Sequence, residues 1–282
     1  MSSGLLETEE LYFQYEESVP ALKGLNIKVN RGRTTAFIGG NGAGKTTLFL
    51  CLNGILKPDA GRIYFDGRQL DYSRKGLTQL RSRVGIVFQD PDDQLFSASV
   101  TQDISFGPMN LKLPEDEVKK RVSLALQRTG TIHLKERPTH SLSYGEKKRV
   151  AIAGVLAMEP EILILDEPTS GLDPGGVSEI MKLLKGLKDN LGLTVIFATH
   201  DIDLVPLYAD YTYVLERGRM ILEGTPKEIF REKDLLRRVK LRLPRVCHLM
   251  EILEDKDGFQ FNDQAATIGE ARKVLKNWRS SN

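Results

Sequence analysis

At 282 residues the chain suits one large or two modest domains able to bury most of their apolar surface. Its 40 basic and 38 acidic side chains nearly cancel, which excludes the charge footprint of a nucleic-acid binder, and its two cysteines, Cys51 and Cys247, are too few for a disulfide framework. No apolar run approaches the roughly 18 to 20 residues that span a bilayer, and the acidic start lacks a signal-peptide pattern, so a reducing cytosol is expected, with membrane contact only through partners.

In chain order, Leu25, Ile27 and Val29 alternate with polar residues and predict a half-buried strand. Residues 35–38 predict a second strand, which feeds a glycine-rich loop and a helix ending near Gly54. Residues 63–65 read as a strand before an Asp66-Gly67 turn, and residues 84–88 as another, ending at Gln89. The pattern then turns helical to about Met158. Val118, Val122, Ala125 and Leu126, behind Pro114, mark one face of an amphipathic helix. Strands return at 162–165, 195–198 and 213–215, as apolar runs suited to parallel strands covered on both faces. An α/β core with a helical insert at about 90–160 is therefore expected. A capping box, Thr225-Pro226-Lys227-Glu228, opens a helical, charge-rich tail.

Gly39-Gly40-Asn41-Gly42-Ala43-Gly44-Lys45-Thr46 satisfies G-x-x-x-x-G-K-[ST] between a predicted strand and a predicted helix. Its glycines let backbone N–H groups curl around phosphate oxygens, and the helix N-terminus adds partial positive charge. Lys45 is expected at the β- and γ-phosphates and the Thr46 hydroxyl on Mg²⁺. Asp166 and Glu167 end an apolar strand, where ligands bind in open parallel sheets. Asp166 would hold Mg²⁺ through water, and Glu167 would orient or deprotonate the attacking water. Leu142-Ser143-Tyr144-Gly145-Glu146 places Gly145 at the opening of a helix made basic by Lys147, Lys148 and Arg149, a turn that attracts anions. Taken singly, Tyr15 reads as core, His200 as structural and Asp173-Pro174 as an N-cap with proline at N1.

The joint order of these parts, with Ser170-Gly171-Leu172-Asp173 and His200 following, resembles the ATP-binding cassette (ABC) family across residues 10–225. The resemblance implies an α/β P-loop NTPase domain at 1–225, with a RecA-like core, a β subdomain and a helical signature insert. It implies a small C-terminal extension at 226–282 that could serve as a dimer contact. It also implies that ATP is hydrolysed with Mg²⁺ by two copies facing each other. By it, Glu167, His200 and Gln89 are catalytic, with His200 at the γ-phosphate and Gln89 sensing it together with Mg²⁺. Tyr15 would stack on adenine, while Gly39, Gly40, Asn41, Gly42, Ala43, Gly44, Lys45, Thr46 and Thr47 hold the phosphates. Thr46, Gln89 and Asp166 would serve Mg²⁺. Ser143, Gly145 and Asp173 would reach the nucleotide of the opposite subunit. The family pattern usually has Gly where Tyr144 stands and Gln where Glu146 stands.

Residues 84–96 and 147–154 look like the cobalt and vitamin (energy-coupling-factor) importers, and 200–208 and 241–245 look more specifically like cobalt-importer ATPases. The resemblance implies an ATPase at the cytoplasmic face of the membrane, a homodimer rather than a heterodimer, docked through the segment after Gln89 on transmembrane coupling and substrate-binding subunits. A shared ATPase of a vitamin importer is the alternative within the class, and a soluble, non-transport ABC protein is a further one. The basic residues between 231 and 245 read as a solvated helix face or a contact between tails, ahead of an anionic-lipid contact.

Overall fold

A computed structural model describes residues 4–16, 19–261 and 263–281. The chain runs β1 (Leu6–Phe13), β2 (Leu22–Val29), β3 (Thr34–Ile38), α1 (Lys45–Leu52), β4 (Ala60–Phe65), β5 (Arg68–Gln69), α2 (Arg74–Arg83) and β6 (Val84–Val87). A helical stretch follows, α3 (Val100–Asn110), α4 (Glu115–Arg128) and α5 (Tyr144–Leu156). Then come β7 (Ile162–Leu165), α6 (Pro174–Leu191), β8 (Thr194–Ala198), α7 (Val205–Tyr208), β9 (Tyr211–Glu216) and β10 (Arg219–Gly224). The tail holds α8 (Pro226–Ile229), α9 (Lys233–Arg238), α10 (Arg245–Asp255) and α11 (Ile268–Ser281).

Two sheets result. The larger has the order β10-β9-β3-β8-β7-β6, parallel from β9 to β6, with β10 turned back antiparallel. Alternate residues of its strands enter two different cores, as period-two side chains covered on both faces must. Ala36, Ile38, Leu163, Leu165, Val195 and Phe197 face α3–α6, whereas Phe37, Ile162, Ile164, Ile196 and Ala198 face α1 and the smaller sheet. The smaller sheet is antiparallel, β2-β1-β4-β5. The Tyr213 hydroxyl ties the two together, donating to the Lys28 carbonyl at 3.0 Å and accepting from its N–H at 2.8 Å.

The expected strands all form, and α4 buries the four residues its spacing nominates. β1 is an addition to the strands expected from the sequence. A register irregularity after Glu9, with Glu10 in left-handed backbone at φ 44°, breaks the alternation that marks a strand. The capping box at Thr225 forms, but its helix is only one turn long. Ile229, Phe230, Leu236 and Leu243 stay in the main core, and a small separate cluster gathers around Met250, Ala265 and Ala271.

Candidate functional site

The strand β3 ends against the glycine loop, and the loop turns into α1. Gly44 sits at φ 102°, and a Cβ there would lie 2.7 Å from the Ala21 carbonyl, so only glycine fits the turn. Gly44 offers no side chain to cap α1, which leaves first-turn N–H groups facing outward to an anion. Lys45, the first helical residue, is buried, and its ammonium donates to the carbonyls of Gly39 at 2.8 Å and Gly40 at 3.2 Å. Burial pushes that ammonium down from its ordinary value, against the upward pull of Glu167 and Asp166.

At the end of β7 the two carboxylates diverge. Asp166 accepts from the Thr46 hydroxyl at 2.5 Å. Burial raises its carboxyl, the Thr46 bond lowers it, and the net shift is upward. Glu167 accepts from the His200 ring Nδ1 at 2.7 Å and from the His200 N–H at 3.3 Å. A carboxylate only accepts, so this bond requires the His200 tautomer with its proton on Nδ1. Glu167 itself is in left-handed backbone, φ 48°, an uncommon state for a non-glycine residue.

These groups face one cleft of about 630 Å³, lined by Tyr15, Ala21, Asn41, Gly42, Ala43, Gly44, Lys45, Thr46, Thr47, Gln89, Asp166, Glu167 and His200. The Tyr15 hydroxyl lies 3.2 Å from the Thr47 hydroxyl, and its ring meets Phe13 edge-on. Ala21 was missed, since a small residue before a strand carries no signal of its own.

Ser143, Gly145 and Asp173 do not line that cleft. Ser143 is the N-cap of α5, which opens at Tyr144, so Gly145 is the second helical residue rather than the first. Glu146 closes the capping box, accepting from the Ser143 N–H at 2.7 Å while the Ser143 hydroxyl accepts from the Glu146 N–H at 3.4 Å. The acid that departs from the family pattern thus serves the helix cap, and Arg137 balances its charge at 3.4 Å. Asp173 caps α6, accepting from the Gly176 N–H at 2.6 Å.

The basic turn after the signature divides. Lys147 pairs with Asp92 and Arg149 with Glu179, while Lys148 turns inward and is 1% exposed. Burial pushes the Lys148 ammonium down to about 8, against Asp90, Glu167 and Asp166. Its spacing four residues after Tyr144 and four before Ile152, on the inner face of α5, is the signal that separates it from its neighbours.

The family model described as ABC transporter matches residues 22–170. The chain is 61% identical over 280 residues to the energy-coupling factor transporter ATP-binding protein EcfA3 of Clostridium perfringens, covering 99% of this chain and 98% of that one. It is similar in structure to cbiO1 of Clostridium perfringens, described as part of the ABC transporter complex cbiONQ, with TM-score 0.77 and 63% identity, over 89% of this chain and 100% of that one. A further likeness is to an ATP-binding cassette solved as a dimer in a post-hydrolysis state with ADP and Pi, with TM-score 0.70 and 27% identity, over 78% of this chain and 98% of that one.

Proposed function

This chain belongs to the ABC transporter family as an ATP-hydrolysing subunit of the energy-coupling-factor and CbiO type, and from that premise we propose that it powers import of cobalt or another transition-metal ion. Its working unit is a homodimer docked on transmembrane coupling and substrate-binding subunits at the cytoplasmic face of the membrane. The observation that carries this reading is a divided site. The phosphate loop from Asn41 onward, Asp166, Glu167 and His200 share a cleft whose lining includes neither Gly39 and Gly40 nor Ser143, Gly145 and Asp173. A second copy facing the first would bring the last three to the γ-phosphate.

Within each cleft the loop N–H groups cradle the phosphates, Lys45 meets their charge, and Tyr15 stacks on adenine. Glu167 takes a proton from the attacking water at its carboxylate, and His200 holds that carboxylate through Nδ1. The hydroxyl of Thr46, the amide of Gln89 and the carboxylate of Asp166 offer hard oxygen donors, a set that suits Mg²⁺, and the bond between Thr46 and Asp166 sets two of them side by side. Thr46 and Gln89 would hold the ion, and Asp166 would hold it through water; bound Mg²⁺ supplies positive charge to the phosphate oxygens.

Docking through the segment after Gln89 is supported by two exposed rings, Phe96 and Phe106, in edge-to-face contact at 4.8 Å. They border a groove of about 480 Å³ where α3 and α5 meet α2 and β6, an apolar surface of the kind that marks partner sites. The extension after residue 225 is read as a second part of the chain and a dimer contact, supported by the separate cluster at Met250, Ala265 and Ala271. The metal reading draws on the likeness of residues 200–208 and 241–245 to cobalt-importer ATPases. The second reading is a shared ATPase of an energy-coupling-factor vitamin importer, and the 61%-identical relative carries the energy-coupling-factor name without a cargo.

The test is uptake by the chain purified with its membrane partners and placed in vesicles. ATP-dependent entry of Co²⁺ or Ni²⁺, lost in Lys45→Ala, is expected. Entry of a vitamin and of neither metal would overturn the first reading in favour of the second.

A further inference from the structure

An ammonium is costly to bury unless hydrogen bonds replace its water. Lys148 is buried where two loops meet α5, and the bonds it makes there are specific. Its ammonium donates to the main-chain carbonyl of Gln89 at 2.6 Å and to that of Glu167 at 3.2 Å. It also lies 5.5 Å from the centre of the Tyr144 ring. Tyr144 is fitted to the same junction. Its hydroxyl lies 3.4 Å from the Gln89 carbonyl, and its ring packs on Gly171, where a Cβ would come within 2.8 Å. Gly171 is at φ 76°, so the loop before Asp173 can present only a bare backbone to that ring.

The carbonyl of Glu167 matters because its residue is held in left-handed backbone. Two donors grip that carbonyl, the Ser170 N–H at 3.1 Å and Lys148. The direction of the Glu167 side chain, and hence its bond to His200, depends on this backbone state. We propose that Lys148 is a positioning residue for ATP hydrolysis: from the signature helix α5 it fixes the main chain of Gln89 and Glu167, and so sets the pose of both side chains toward the γ-phosphate. The inference rests on the reading of Glu167 as the residue that activates water. It also gives α5 a direct link to the ATP site of its own chain. A shift of α5 when Ser143 and Gly145 meet the partner's nucleotide moves both carbonyls together.

Two variants of the full chain test it, with steady-state ATPase and amide hydrogen exchange as readouts. Lys148→Met keeps the length and removes the donors; Lys148→Gln keeps a donor. In Lys148→Met, kcat should fall about 10- to 100-fold, as misplacement of catalytic groups does, with KM for ATP within about twofold of the parent. Exchange should quicken in residues 88–94 and 166–172 and stay unchanged in α4. Lys148→Gln should recover to within about threefold of the parent kcat. A parental kcat in Lys148→Met would overturn the proposal. So would a loss of kcat accompanied by faster exchange throughout α4 and β7, which marks general loosening of the fold. Glu167→Gln, measured alongside, separates the two levels. If it is inactive while Lys148→Met turns over normally, only the role of Lys148 falls; if it turns over normally, the reading of Glu167 falls first.

Discussion

Replacing Lys45 with Ala removes a buried ammonium that reaches the carbonyls of its own loop, and with it the charge proposed to meet the β- and γ-phosphates. Truncating one member of a desolvated charge pair costs about 2–5 kcal/mol, so the Kd for ATP should rise at least about 30-fold. Calorimetric titration checks this, and an unchanged Kd would contradict it. Glu167→Gln should act on a different quantity. Removing a general base costs about 10²- to 10⁴-fold in kcat, while Kd for ATP should stay within about threefold. Single-turnover hydrolysis separates the two. Both residues could be nominated from the sequence because each lies in a contiguous motif whose chemistry is local. Lys148 could not, since the carbonyls it grips lie 59 and 19 residues away and only the fold brings them together. The bond between His200 and Glu167, 33 residues apart, was hidden for the same reason.

Between elements, a charged cluster joins the two sheets. Arg31, just after β2, donates to Glu161 at 2.6 Å, and Arg83 at the end of α2 bonds both Glu161 and Asp66. Burial pushes the Glu161 carboxyl upward, but the bonds from Arg83 and Arg31 outweigh it and hold the group below its ordinary range. A carboxylate depressed in the folded state stabilises above its unfolded value, here the ordinary 4.5, and that contribution is lost as pH falls through the folded value. Glu161→Gln should therefore cost about 1 kcal/mol near neutral pH, and the gap to the parent should close in acid. Urea unfolding at the two pH values measures it; a gap that widened in acid would contradict the sign. The strands of the larger sheet were readable because burial on both faces demands unbroken apolar runs, as in Ile162–Leu165 and residues 195–198. β1 was hidden by its irregularity at Glu9 and Glu10. The basic tail reads as a solvated face or a contact between tails, and its arginines are exposed; within the chain, Arg242 also reaches Asp203 at 2.9 Å and Arg245 donates its N–H to the same carboxylate at 2.7 Å. That ties the extension to the segment just after His200.

For the molecule as a whole, the order of motifs along the chain was enough to name the family, because the phosphate loop, Gln89, the signature, the paired carboxylates and His200 recur in one sequence. The cargo was less legible, since under the proposed function the groups that select it would belong to membrane partners rather than to this chain. The site is proposed to be shared between two copies: each cleft would hold ATP, and Ser143 and Gly145 would act on the nucleotide of the opposite copy. Sizing the Glu167→Gln chain by light scattering at saturating ATP tests this most directly, with Ser143→Arg added on the same background. An ATP-dependent dimer is expected for the first, and for the second a monomer that still binds ATP with parental affinity. A Glu167→Gln chain that stays monomeric with ATP bound, or a Ser143→Arg change that abolishes ATP binding by the monomer, would contradict it.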